Sequence, residues 1–336
     1  MKTHVLVTGV CGLIGSHACD VLLRRGYTVP GVDDLSFGKM EHIARYLGRP
    51  NFRFVRANIC RHGYLESKIK RCDRVLHLAA VKKVGESEAV LPTIKVNADG
   101  TESMLKFALA KKARFVLGST SDVYGASEDV PFREDGWCRI GPSTAKRWAY
   151  AVAKLQAEHL VMGYIKTYGL EAVILRYFGG FSERSSSTWS GGHVPIFIGA
   201  VLRNKEIVIH GDGSQTRSMA HVDDLVRGTL LAMNRNRALG EIINIGNDEE
   251  VSVLDCAKRI HRLSGVRHPI KLKLVPMKKV FGTYREIPRR IPDLTKAKRL
   301  LGYTPRVNFD EALLRVIRST RERMASQERA TAGGEL

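Results

Sequence analysis

Seven residues, "STSDVYG" (119–125), set three hydroxyls, a carboxylate and a phenol at the end of an apolar run, "FVLGS" (115–119). Downstream, "RWAYAVAKLQAEHL" (147–160) holds Tyr150 and Lys154 four apart, a spacing that puts both on one face of a helix. A lysine beside a phenol, with the cation of a nicotinamide cofactor near, favours the phenolate and lowers its pKa, which would make Tyr150 usable as a base near neutral pH. Hydroxyls at a strand end either cap a turn or hold a substrate. Asp122 reads in two ways: a cap for the turn before Val123, or an acid or base in its own right. Tyr124 reads as packing or as a contact to a cofactor ring. Alone, the Tyr150/Lys154 spacing is most often an exposed helical pair. It becomes informative only if other parts of the chain build a site around it.

One such part is "VTGVCGLIGSH" (7–17), with Gly9, Gly12 and Gly15 enclosing Leu13 and Ile14. The segment follows an apolar strand and opens a helix. That context suits a tight turn, a close backbone approach to a pyrophosphate, and close helix–strand packing. The helix N-terminus offers N–H groups and a positive dipole end to the phosphates. Asp33 ends the second apolar run, with Asp34 beside it. A carboxylate there binds ribose hydroxyls and repels a 2′-phosphate, and no arginine adjoins it, so NAD is expected over NADP.

The elements that must position these residues follow from periodicity. Strands are expected at 4–8, 28–33, 52–57, 74–79, 114–119 and 172–177, with helical patterns between them at 13–26 and 97–112. That alternation is the mark of an α/β fold, a Rossmann-type doubly wound parallel sheet. Pro30 donates no ladder bond and is expected near a strand start or at a bulge. After residue 177 the pattern changes. "FGGFSERSSSTWSGG" (178–192) is too long for a connector, and its Gly and Ser content suggests a mobile lid. The expected organisation is an NAD-binding domain over 1–177 with a segment returning at about 220–247, a smaller C-terminal α/β substrate lobe over 178–325, and a frayed tail over 326–336.

The chain of 336 residues is 44% hydrophobic and 26% charged, an ordinary globular composition. No apolar stretch approaches the ~20 residues that span a bilayer, and no leader can be fitted before the first strand, so a soluble cytoplasmic protein is expected, with no membrane partner. The six cysteines form no C-x-x-C pair and no zinc spacing, so neither a metal nor a disulfide framework is expected. The net charge of +20 concentrates in residues 251–336, with 20 Lys/Arg against 8 Asp/Glu. These cations alternate with apolar residues at helical spacing, which reads as a solvated face. No nucleic-acid-binding module accompanies the charge, which argues against that partner.

The order of the glycine loop, the strand-end Asp33, "HLAA" (77–80), "VNADGT" (96–101), "STSDVYG" and YxxxK resembles the extended short-chain dehydrogenase/reductase superfamily, in its nucleotide-sugar epimerase/dehydratase branch. The resemblance implies Thr120, Tyr150 and Lys154 as the catalytic set. It implies Asn58, Ile59, Leu78, Ala79, Ala80, Lys82, Asn97 and Tyr177 around the cofactor. For a nucleoside-diphosphate sugar, with a UDP-sugar the first expectation, it implies Lys82, Ser121, Gly179, His193, Val194 and His210. Arg217 and Arg290 would clamp the diphosphate. Two positions depart from the branch: Asn58 stands where Asp is usual, and Gly179 where Asn is usual. Members begin by oxidising the sugar at C4, and the ketone then has three fates: 4-epimerisation, decarboxylation, or 4,6-dehydration. "VDDLSFGK" (32–39) and "VKKVGES" (81–87) are similar to UDP-galactose 4-epimerases, which makes epimerisation the first expectation. Asp122 and "GPSTAKRWAY" (141–150) are similar to UDP-glucuronate decarboxylases, where Arg290 would match a catalytic arginine. A non-catalytic NAD-binding or RNA-associated relative is the third possibility, and retention of YxxxK argues against it. The branch also implies a homodimer formed through the helices at 97–112 and 147–168.

Overall fold

The structure, a computed structural model, describes residues 2–82, 90–186, 192–277 and 287–332. In chain order the strands are β1 Val5–Thr8, β2 Val29–Asp33, β3 Phe52–Arg56, β4 Arg74–His77, β5 Arg114–Thr120, β6 Ala172–Tyr177, β7 Gly180–Phe181, β8 Ile207–His210, β9 Thr216–Ser218, β10 Ala220–His221, β11 Ile242–Ile245, β12 Glu250–Ser252, β13 Leu272–Val275 and β14 Arg289–Arg290. The α-helices are α1 Leu13–Arg24, α2 Tyr64–Lys68, α3 Val90–Lys111, α4 Trp148–Tyr168, α5 His193–Leu202, α6 Val222–Asn234, α7 Val253–Ser264, α8 Thr295–Leu301 and α9 Phe309–Ala332.

Seven strands form one parallel sheet in the order β11-β6-β5-β4-β1-β2-β3. Both faces are covered, so its strands read as continuous apolar runs. Along β1, Val5 and Val7 pack toward α1 and α6, while Leu6 packs toward α3 and α4. Strand order reverses between β1 and β4, and ligands of such sheets bind beyond the strand ends at that point. Pro30 is the second residue of β2, near the strand start. β11 lies beside β6 at the sheet edge, so the chain returns to the first sheet after β7–β10.

The remaining strands form small sheets: β7 with β10, β8 with β13, and β9 between β12 and β14. A separate core of Phe197, Ile198, Ile209, Cys256, Ile260, Phe309, Leu313 and Val316 joins α5, α7 and α9 to β8.

Three boundaries differ from expectation. β4 stops at His77 because the Thr8 hydroxyl accepts the Leu78 and Ala79 N–H groups (3.1 and 3.2 Å), taking them out of the ladder. α3 starts at Val90 rather than 97, since Pro92 falls in its first turn, where a missing N–H is tolerated. The tail is helical to Ala332 rather than frayed from 326, because the Arg-, Glu- and Ala-rich end of α9 continues the helix on propensity. Of the expected lid, residues 180–181 are a strand, and 187–191 lie outside the described residues.

Candidate active site

The glycine loop turns between β1 and α1, where the Gly12 N–H donates to the Gly9 carbonyl (3.0 Å). A Cβ at Gly15 would sit 2.1 Å from the Gly9 oxygen, so only glycine lets the helix approach this closely. Gly12 caps α1, no side chain bonds the cap, and the first turn holds no acid. Such an end suits a pyrophosphate. Leu13 and Ile14 begin α1 and pack on the core beside it.

Asp33 is buried at the end of β2. One carboxylate oxygen accepts the Cys11 N–H (3.0 Å) and the other the Leu35 N–H (2.8 Å). Burial raises its pKa and the two backbone donors oppose the rise. Each oxygen keeps a lone pair for a ribose hydroxyl. Asp34 instead closes its own turn through Ser36 (2.9 and 2.7 Å). Asn58 accepts the Cys60 N–H (2.8 Å) in a similar turn, with Ile59 buried beneath it.

His77 is buried between Thr8 (2.9 Å to Nδ1) and Thr101 (3.1 Å to Nε2). Burial pushes its pKa down to about 3, so it stays neutral. The Asn97 amide accepts the Val81 N–H and donates to the Val81 carbonyl, both at 2.9 Å. These bonds fix the segment carrying Leu78, Ala79, Ala80 and Lys82. The Tyr177 hydroxyl meets Thr229 (2.7 Å).

At the end of β5, Thr120 is the cap of the following turn. Its hydroxyl accepts the Asp122 N–H (3.2 Å), so the turn acid is not the cap, against one reading of the sequence. The Asp122 carboxylate instead receives the Thr120 hydroxyl (3.3 Å) and Arg290 Nη1 (2.6 Å). Burial works to raise the Asp122 pKa, but the charges of Arg290, Lys82 and Arg147 outweigh it and hold the carboxyl at about 2.

Tyr150 lies against this group on α4. Burial and the Asp122 charge push its phenol above the usual range, with the Thr120 hydroxyl acting the other way. Lys154 turns to the strand end instead, where its Nζ donates to the Gly118 carbonyl (2.8 Å). Burial lowers the lysine to about 8, opposed by Glu158.

Arg217 and Arg290 are register partners on β9 and β14. Arg217 also donates to the Thr216 and Ile287 carbonyls (2.7 and 2.9 Å). His193 opens α5 above Phe197 (ring centroids 5.3 Å), and burial with the nearby Arg217 charge lowers it to about 4. Val194 is buried behind it. His210 ends β8 and receives Gln215 on its carbonyl (2.8 Å). Gly179 has φ +46°, and a Cβ there would lie 2.1 Å from the Ser218 oxygen. Its departure from Asn has a local cause, the close crossing of β6–β7 over β9–β10.

Two charged residues missing from the sequence reading complete the surroundings. Glu158 and Arg176 form a buried pair (2.7 Å) under Ser119 and Tyr124. The signal was present: Tyr150, Lys154 and Glu158 follow one another at four-residue steps along α4. Tyr124 is packing: its ring stacks on Phe132 and its hydroxyl donates to Asn244 (2.7 Å). Among the described residues, no cluster of His, Cys, Asp or Glu could hold a metal, and no helix is long and apolar enough to cross a membrane.

Comparison with known proteins agrees with this geometry. A UDP-N-acetyl-alpha-D-glucosaminuronate decarboxylase of Bacillus cytotoxicus is 36% identical over 324 residues, covering 96% of this chain and 99% of that protein. UDP-glucuronic acid decarboxylase 1 of Danio rerio is 33% identical, over 94% of this chain and 72% of its own length. Among solved structures, the UDP-glucuronic acid 4-epimerase of Bacillus cereus, in complex with UDP-glucuronic acid and NAD, superposes with a TM-score of 0.85 at 31% identity, covering 95% of this chain and 99% of that one. The family described as GDP-mannose 4,6 dehydratase matches residues 6–316. With the glycine cradle and Asp33 fitted to NAD and a tyrosine–lysine helix beside them, the chain belongs to this family of NAD-dependent extended short-chain dehydrogenases/reductases that act on nucleotide sugars.

Proposed function

We propose that the protein is an NAD-dependent decarboxylase of a UDP-hexuronate, in place of the 4-epimerase first expected. The observation that carries this reading is the Asp122–Arg290 pair beside Tyr150 and Thr120. A 6-carboxylate needs a cation, and Arg290 is held there by Asp122. The sequence relatives named as decarboxylases support the same choice.

The proposed roles follow from position. Tyr150 takes the proton of the sugar 4-hydroxyl and Thr120 holds the same oxygen. NAD, when bound by the Gly9–Gly15 loop and Asp33, supplies reversible oxidation at C4 and a positive charge beside Tyr150. A ketone at C4 makes the C5–C6 bond β to a carbonyl. The carboxyl group, oriented by Arg290, then leaves as CO₂, and its bonding pair becomes a C4–C5 enolate. Tyr150 and Thr120 donate to the enolate oxygen, the kind of stabilisation that acts where charge develops. Protonation at C5 restores the ketone. Arg217, His193 and Lys82 face the nucleotide diphosphate in this reading, with the residues after 177 as substrate lobe.

4-Epimerisation is the second reading, favoured by the superposition on the Bacillus cereus epimerase. Incubation with UDP-glucuronate and its N-acetylglucosaminuronate analogue in D₂O separates the two. The expected product is one carbon shorter and carries deuterium at C5. Recovery of a six-carbon sugar inverted at C4 and unlabelled at C5 would overturn the decarboxylase.

A homodimer belongs to the same proposal. α3 and α4 pack on each other and leave Leu91, Ile94, Val152 and Met162 exposed. Sedimentation at micromolar concentration should show a dimer; a monomer alone would reject it.

A further inference from the structure

The strand end that carries Thr120 is held from below by one carboxylate. Glu158 is 2% exposed and lies one turn after Lys154 on α4, as Lys154 lies one turn after Tyr150. Its oxygens receive the Ser119 hydroxyl (2.5 Å), Arg176 Nε (3.1 Å) and Arg176 Nη2 (2.7 Å). Ser119 and Arg176 are register partners on β5 and β6. One residue before Ser119, the Gly118 carbonyl receives Lys154.

From this geometry we infer that Glu158 is a positioning residue: it locks α4 to β5 and β6 so that Tyr150 faces Thr120, and it is the fixed counter-charge that keeps buried Lys154 an ammonium. This rests on the proposed function only in giving Lys154 a part in the reaction. The groups around the lysine support the assignment. On its own helix lie Tyr150, a protonated phenol, and Glu158. From β4 comes His77, kept neutral by burial and by the lysine charge. From β6 comes Arg176, a cation bound to the same Glu158 carboxylate, so it offsets part of that carboxylate's effect on the lysine. Asp122, in the turn after β5, is paired with Arg290 and acts on Tyr150. Glu158 is the anion that acts on the lysine, drawing its pKa up against burial.

The test reads Lys154 directly. Protein labelled with ¹³C at lysine Cε is titrated by NMR, with the Lys154 signal identified by its loss in Lys154→Arg. Glu158→Gln should lower the Lys154 midpoint by about one pH unit or more, because the charge is lost while the amide keeps the shape. The alkaline limb of kcat should move down with it. Glu158→Gln/Arg176→Gln, which removes both charges, should recover part of the shift. An unchanged midpoint in folded Glu158→Gln would overturn the inference, leaving Glu158 a packing residue. If that variant does not fold, Glu158→Asp serves: the withdrawn carboxylate should give a smaller downward shift, and none would overturn the idea. The titration needs no sugar, so its failure is distinct from failure of the decarboxylase reading.

Discussion

Two arginine–carboxylate pairs flank Thr120, and they are built for opposite purposes. Glu158 and Arg176 are 18 residues apart, on α4 and β6, with side chains 3% and 4% exposed. Asp122 and Arg290 are 168 residues apart, joining the turn after β5 to β14, with side chains 15% and 17% exposed. Their closest distances, 2.7 and 2.6 Å, do not separate them. Burial does. A dry pair cannot exchange its partner for water, and loss of one member strands a charge. A pair that keeps some exposure can trade its partner for a substrate anion. The inner pair therefore fixes the scaffold, and the outer pair is available to chemistry.

The largest effect that would test this contrast is on stability. Arg176→Leu leaves Glu158 buried without its hydrogen-bonded arginine and should cost about 3–5 kcal/mol in urea denaturation. Arg290→Leu should cost about 1 kcal/mol, as expected for a partly solvated pair. Equal losses would erase the distinction. Turnover should respond the other way: Arg290→Leu should lower kcat about 100-fold, which is about 2.7 kcal/mol, with the fold intact by circular dichroism. Next comes pH. The Asp122 pKa is held down to about 2, against an unfolded value of about 3.9. A depressed carboxyl contributes stability that is full above the unfolded value and lost as pH falls through the folded one. Wild type should therefore exceed Asp122→Asn by about 1–2 kcal/mol at pH 6, allowing for partial solvation. The two acid-unfolding curves should converge near pH 2; curves that stay parallel would mean that the charge is not what Arg290 holds. The smallest effect belongs to Tyr124→Phe, which keeps the ring beside Arg176 but loses the bond to Asn244. About 1 kcal/mol of stability should go, with kcat unchanged; a fall in kcat would return Tyr124 to the reaction.

Much of the sheet was legible because burial on both faces writes strands as apolar runs: β2 and β6 fall inside or on their expected ranges. The glycine loop was legible because close backbone approach permits one residue type. β9 and β14 were not. They are three and two residues long, rich in arginine, and become strands only by pairing with each other and β12. The Lys154 contact was missed for a related reason. Four-residue spacing brings a lysine alongside a tyrosine, but the acceptor that claims its protons, the Gly118 carbonyl, is on another element.

By itself the sequence determined what local chemistry dictates: the parallel sheet, the phosphate-binding turn, and a helix face presenting Tyr150 and Lys154. These depend on periodicity, chirality and steric fit within a turn or a strand. Tertiary structure alone decided that Asp122 is held ionised by an arginine 168 residues away, and that Glu158 meets both Ser119 and Arg176. Such pairings depend on which buried charges the closing chain brings within reach, and no local spacing encodes that.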